Sequence, residues 1–119
     1  MKIIYNSARK FIIFSYSASH GLLLLRSAKR TSDDTRCDVV FHDVRAMELR
    51  ASSDGITIAE VDLAYLARFK STPLDMIQPG LVAYSVGNER WSGFVLGGVV
   101  RTAEDRADFF DRSELLPDF

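Results

Sequence analysis

Cysteine and histidine are nearly absent: Cys37 stands alone, and His20 and His42 are the only histidines. A single cysteine excludes an internal disulfide framework and agrees with a reducing compartment. Three such residues also leave little from which to build the tetrahedral shell of a zinc site. Long apolar runs are missing too. Runs such as Leu22–Leu25 are only a few residues long, far short of the ~20 residues a membrane helix requires. Near the N-terminus, Asn6, Ser7, Arg9 and Lys10 follow Met1–Tyr5 before a signal-peptide core can form. The expected location is therefore cytoplasmic, with no membrane contact. No phosphate-loop, zinc or nucleophile-elbow spacing occurs, so the sequence specifies no reaction and no cofactor.

What is present describes a globular domain. The chain has 119 residues, 47% of them hydrophobic and 26% charged, enough for a single domain spanning 1–119 with a real core. The net charge is −1, but residues 1–50 hold nine Lys/Arg against five Asp/Glu, and residues 51–119 hold six against eleven. Such asymmetry marks an electrostatic face or a head-to-tail contact unless folding intermixes the charges.

The chain reads as strands separated by turns. Lys10–Tyr16 is rich in β-branched and aromatic residues and pairs, across Ser17–Gly21, with Leu22–Ser27. Arg30–Arg36 is a polar loop in which Ser32, Asp33 and Asp34 favour a turn. A third strand follows at Asp38–His42. The fourth, Val44–Arg50, needs a bulge at Arg45–Ala46 to keep one apolar face. Asp54-Gly55 signals a turn before a fifth strand, Ile56–Val61. Asp62 can cap a short helix over 62–69, although the same residues also alternate as a strand. Pro73 and Pro79 make Lys70–Gly80 a loop. Leu81–Val86 and Trp91–Thr102 form a second hairpin, its last strand central or changing sheets at Gly97-Gly98. The expected fold is mainly β: about seven mostly antiparallel strands in a barrel, roll or sandwich, with one or two short helices at most.

Catalytic constellations are weak on their own terms. Cys37 and His42 are five apart, so on one strand their side chains oppose. Asp33-Asp34, Asp38, Asp43 and Glu48 fall around one region of the chain, and no acid is expected within an apolar run: Glu48 and Glu60, the two nearest to it, read as solvent-facing positions of alternating strands. Ser15, Ser17 and Ser19 imply neither a base nor an oxyanion hole. Arg9, Lys10, Arg26, Lys29, Arg30 and Arg36 with Phe11 or Tyr16 suit nucleic acid poorly, because the whole chain is slightly acidic. The expectation is no catalytic residue and no metal ligand.

The segment 103–119 alternates acidic and aromatic residues: Asp108-Phe109-Phe110-Asp111, then Glu114-Leu115-Leu116-Pro117-Asp118-Phe119. It either covers an open end of the sheet with Phe109, Phe110 and Leu116, or extends as an arm into a partner. Aromatics rimmed by charge make good interface anchors, so Trp91, Asp108, Phe109, Phe110 and Asp111 are the candidate partner-binding residues. Tyr16, His20, His42 and Tyr84 are the candidates for lining an interior pocket.

Two stretches carry a resemblance. Asp38–Leu49 leading to Gly55-Ile56-Thr57-Ile58, and Gly93–Val99 followed by an acidic segment and Phe110-Asp111-Arg112-Ser113, resemble small bacterial β-rich domains, some of them toxin-neutralising immunity proteins. The resemblance implies a non-enzymatic role in recognising a protein partner. The alternatives are a small-molecule-binding barrel or enzyme with an interior pocket, and a structural subunit of a homo-oligomer, since exposed sheet edges favour a homodimer.

Overall fold

The first strand begins well before Lys10: in the computed structural model, which describes residues 1–30, 34–71 and 73–117, β1 spans Lys2–Ser17. The turn expected at Ser32 and Asp33, and the chain end at Asp118 and Phe119, lie outside the described residues. Seven further strands follow: β2 (Leu22–Ser27), β3 (Arg36–Phe41), β4 (Ala46–Glu48), β5 (Ser52–Glu60), β6 (Val82–Gly87), β7 (Ser92–Gly97) and β8 (Val100–Asp105). All pairings are antiparallel in one sheet of order β4-β7-β6-β5-β1-β2-β3-β8. The end strands β4 and β8 do not pair with each other, so the sheet is not closed into a barrel.

β1 serves two neighbours. Its first half pairs with β5 and its second half with both β5 and β2. Asp54-Gly55 is not a turn but part of β5, where Ala8 and Arg9 of β1 bulge against Gly55 alone. Gly55 sits at φ +84°, a left-handed conformation that glycine adopts without steric cost. The chain reverses earlier, at 49–51. The expected strand Val44–Arg50 shrinks to the three residues of β4, because 42–45 bends sharply. Asp43 there is left-handed, at φ 52°, a conformation short polar side chains tolerate.

The opposing chain bends too, at the Gly97-Gly98 position where the sequence allowed a change of sheet. Here β7 ends and β8 begins, so the expected strand Trp91–Thr102 is two strands. A β-carbon on Gly97 would lie 3.1 Å from the His42 oxygen. The glycines thus let the two bends pass closely, joined by His42 N–H to Val99 O at 2.9 Å and Gly98 N–H to His42 O at 2.8 Å.

One cluster gathers Phe11, Leu25, Val39, Ile58, Val86 and Val95, one from each of six strands. A flat sheet could not bring them together, so the sheet curls around them. Two layers then cover its outer face. Over β6 and β7, helix α1 (Leu63–Leu66) places Leu66 against Phe94 and Leu96. Asp62 caps it as expected, accepting the Tyr65 N–H at 3.2 Å. Over β2 and β3, Leu115 and Leu116 of the C-terminal segment pack on Leu22, Leu24 and Val40. This explains why every residue of β2 and β3 is buried, and why Leu22–Leu25 reads as an unbroken apolar run. Among the described residues, no helix is long and apolar enough to cross a membrane.

Candidate functional site: a clamped acidic-aromatic turn

Opposed residues of antiparallel strands share a face. The register sets Arg26 opposite Asp38 and Arg36 opposite Asp105, a row of alternating charge across β2, β3 and β8. Arg26 grips Asp38 with two bonds, of 2.7 and 3.1 Å. Arg36 grips Asp105 likewise, at 3.0 and 2.9 Å, and its Nη2 lies 3.8 Å from Asp38. Arg26, Asp38 and Arg36 are at most 1% exposed, and Asp105 is 24% exposed. Fork-on-carboxylate geometry of this kind is how buried arginines satisfy their donors.

The remaining donors hold the C-terminal segment. Arg36 Nη1 donates to the carbonyls of Asp108 at 2.8 Å and Asp111 at 2.7 Å, and Arg26 Nη1 donates to that of Phe109. The Arg26 guanidinium also lies 4.2 Å from the centre of the Phe14 ring. Within the turn, Asp111 N–H bonds Asp108 O at 3.0 Å, and Asp108 N–H bonds the Asp111 carboxylate at 2.9 Å. The segment therefore docks on its own domain.

The turn 108–111 is held mainly through its backbone carbonyls, which leaves the Asp108 and Phe110 side chains facing outward. Phe109 is half-buried, edge-on to Phe14 at 5.1 Å. Phe110 packs edge-on against Phe109 at 5.0 Å, yet remains 84% exposed. The Asp108 side chain also faces outward, with Lys29 3.7 Å away. Burial alone would draw Arg36 down, but the bonds to Asp105 and the Asp38 charge outweigh it and hold the guanidinium above its ordinary value. Asp105 is held below the usual carboxylate range, chiefly by the Arg36 hydrogen bonds.

Trp91 lies elsewhere, before β7. Its indole N–H donates to Ser53 Oγ at 3.0 Å, and Asn88 donates to the same oxygen at 3.1 Å. It borders an open groove of about 800 Å³ whose lining includes Lys10, Thr57, Ser85 and Arg90. The tail residues 108–111 sit against β2 and β3, so the structure does not join Trp91 to them in one site.

The four pocket candidates are not brought together either. None lines that groove. Tyr16 and His20 are exposed. Tyr84 is buried in the core against Phe41, its hydroxyl donating to Gly98 O at 2.7 Å. His42 sits half-buried at the bend, its Nε2 enclosed with no hydrogen-bond partner among the described residues; burial, with the Arg101 charge, lowers its pKa. Cys37 is in the core, its thiol 3.7 Å from a Glu104 oxygen.

Two corrections concern charge. An acid does lie within an apolar run: Asp38, beside Val39, Val40 and Phe41, is buried. Of the arginines considered for nucleic acid, Arg26 and Arg36 are buried and committed to internal bonds, and Phe11 is core. The signal that could have found them is the alternation Leu22/Leu24/Arg26 in β2 and Arg36/Asp38/Val40 in β3, whose register sets Leu24 opposite Val40 and Arg26 opposite Asp38.

No family model, curated protein or solved structure matches this chain.

Proposed function

We propose that this chain is a non-catalytic protein-binding domain whose contact centres on the turn 108–111. The observation that carries the reading is Phe110, 84% exposed on a turn whose backbone is fixed by two buried arginines. Exposed aromatics serve as interface anchors, and one already held in place gives up little entropy on binding. Asp108 beside it favours a partner with a basic surface. The eight-stranded sheet, read as a roll folded over at its two bends, supplies the rigid base. In its sharper form this is an immunity-like protein whose acidic turn meets a basic toxin. The groove beside Trp91 favours a second reading, a small polar ligand, since its volume falls within the usual range for ligand sites.

The test is affinity capture with the tagged full chain, Phe110→Ala and Asp108→Lys, followed by association kinetics with the purified partner. One stoichiometric partner should be lost with Phe110→Ala, and Asp108→Lys should slow association most at low salt. Equal capture by all three proteins would refute the turn as the contact.

A further inference from the structure

We infer that the free edge of β8 pairs with β8 of a second copy of this chain. β8 ends the sheet order and, among the described residues, pairs with β3 alone. The described residues of the C-terminal segment do not shield the other edge, because after Asp105 they turn back over β3 and β2. The bond from His42 N–H to Val99 O sets the alternation along this ladder. It directs the backbone groups of Arg101, Ala103 and Asp105 to β3, and those of Thr102 and Glu104 to the open edge. Unpaired edge groups of this kind are a template for another strand.

A two-fold axis through Ala103 makes the edge self-complementary. Thr102 then faces Glu104 of the second copy and exchanges hydrogen bonds with it. Arg101 faces Asp105 of the second copy, twice over, at the closer non-hydrogen-bonded positions. Ala103, at the axis, is small enough for the two copies to meet. Arg101, Ala103 and Asp105 share the face that carries Arg36 and Asp38, so each buried charge row gains a further arginine from the other copy. Moving the axis to Thr102 would set Arg101 against Ala103 and lose the match. Among other one-sided stretches, the first half of β1 carries Lys2, Arg9 and Lys10 and would place like charges together on self-pairing. β4 is only three residues long.

Sedimentation velocity on the full chain, over a range of concentrations, tests the pairing. The wild type should be a dimer at the upper end, and Arg101→Glu, at an exposed position, should be a monomer with an unchanged circular dichroism spectrum. Ala103→Cys should form a covalent dimer with oxidised glutathione, because cross-strand positions at the axis fall within disulfide reach. Thr102→Cys should form none, since its own counterpart lies beyond that reach. A wild type that remains monomeric throughout, a dimer indifferent to Arg101→Glu, or crosslinking through residue 102 and not 103 would each overturn the proposal.

Discussion

Replacing Arg36 with methionine keeps much of its bulk but deletes the fork that joins β3 to β8 and to the C-terminal segment. Two bonds to Asp105 disappear, together with those to the Asp108 and Asp111 carbonyls. Removing one partner of a buried ion pair costs about 3–5 kcal/mol, because the other charge is left uncompensated. Asp105 retains 24% exposure and Asp38 keeps Arg26, so the lower end applies. At roughly 2.1 cal/mol/K per residue, 119 residues have an unfolding entropy near 250 cal/mol/K, and a loss of about 3 kcal/mol lowers Tm by about 12 °C. Thermal unfolding followed by circular dichroism measures this, and amide exchange across 106–117 reports release of the segment. Arg36→Lys should recover less than half of the loss, since an ammonium cannot span two carbonyls and a carboxylate. A methionine variant melting within about 3 °C of wild type, with those amides still protected, would refute the clamp.

Acid should loosen the same segment. Asp105 has a folded pKa below its unfolded value, so its contribution is complete above the ordinary carboxylate value near 3.9 and is lost as pH falls through the lower folded value; equal protection of 106–117 at pH 7 and at pH 2 would count against it. His42 is neutral in the fold at pH values where the unfolded chain binds a proton, so stability should fall as pH drops below about 6.5, and His42→Gln should flatten that slope in denaturant titrations. Gly93→Ala would drive a β-carbon into the Glu48 carbonyl, displacing β4 and costing about 1–3 kcal/mol; an unchanged denaturation midpoint would show that β4 does not need that contact. Phe110→Ala, at an exposed side chain, should leave stability within about 0.5 kcal/mol of wild type, so that any lost binding reports contact and not unfolding.

Local chemistry was legible wherever one neighbour decided the outcome. The Asp62 cap and the Leu22–Ser27 hairpin arm depend on residues close in the chain, and the structure has both. Gly97-Gly98 marked the bend because a glycine pair permits close backbone approach, although the segment it approaches, 42–45, was not apparent. Asp54-Gly55 misled because glycine suits a turn and a bulge equally. The choice was made by β1, which sets two residues against one at that point. Arg26, Asp38 and Arg36 were legible as charges but not as buried ones. Their burial requires the segment after Asp105 to fold back across two strands, a contact between residues 72 positions apart, Arg36 and Asp108.

By itself the sequence determined a β-rich chain, its principal hairpins, a short capped helix and an acidic-aromatic ending, because propensity and alternation act between near neighbours. Only the tertiary structure decided that β2 and β3 are covered on both faces, that two arginines hold the ending by its carbonyls, and that Phe110 faces outward while Phe109 turns in. Those outcomes depend on which distant backbone groups fill a guanidinium's donors, and no local pattern encodes that.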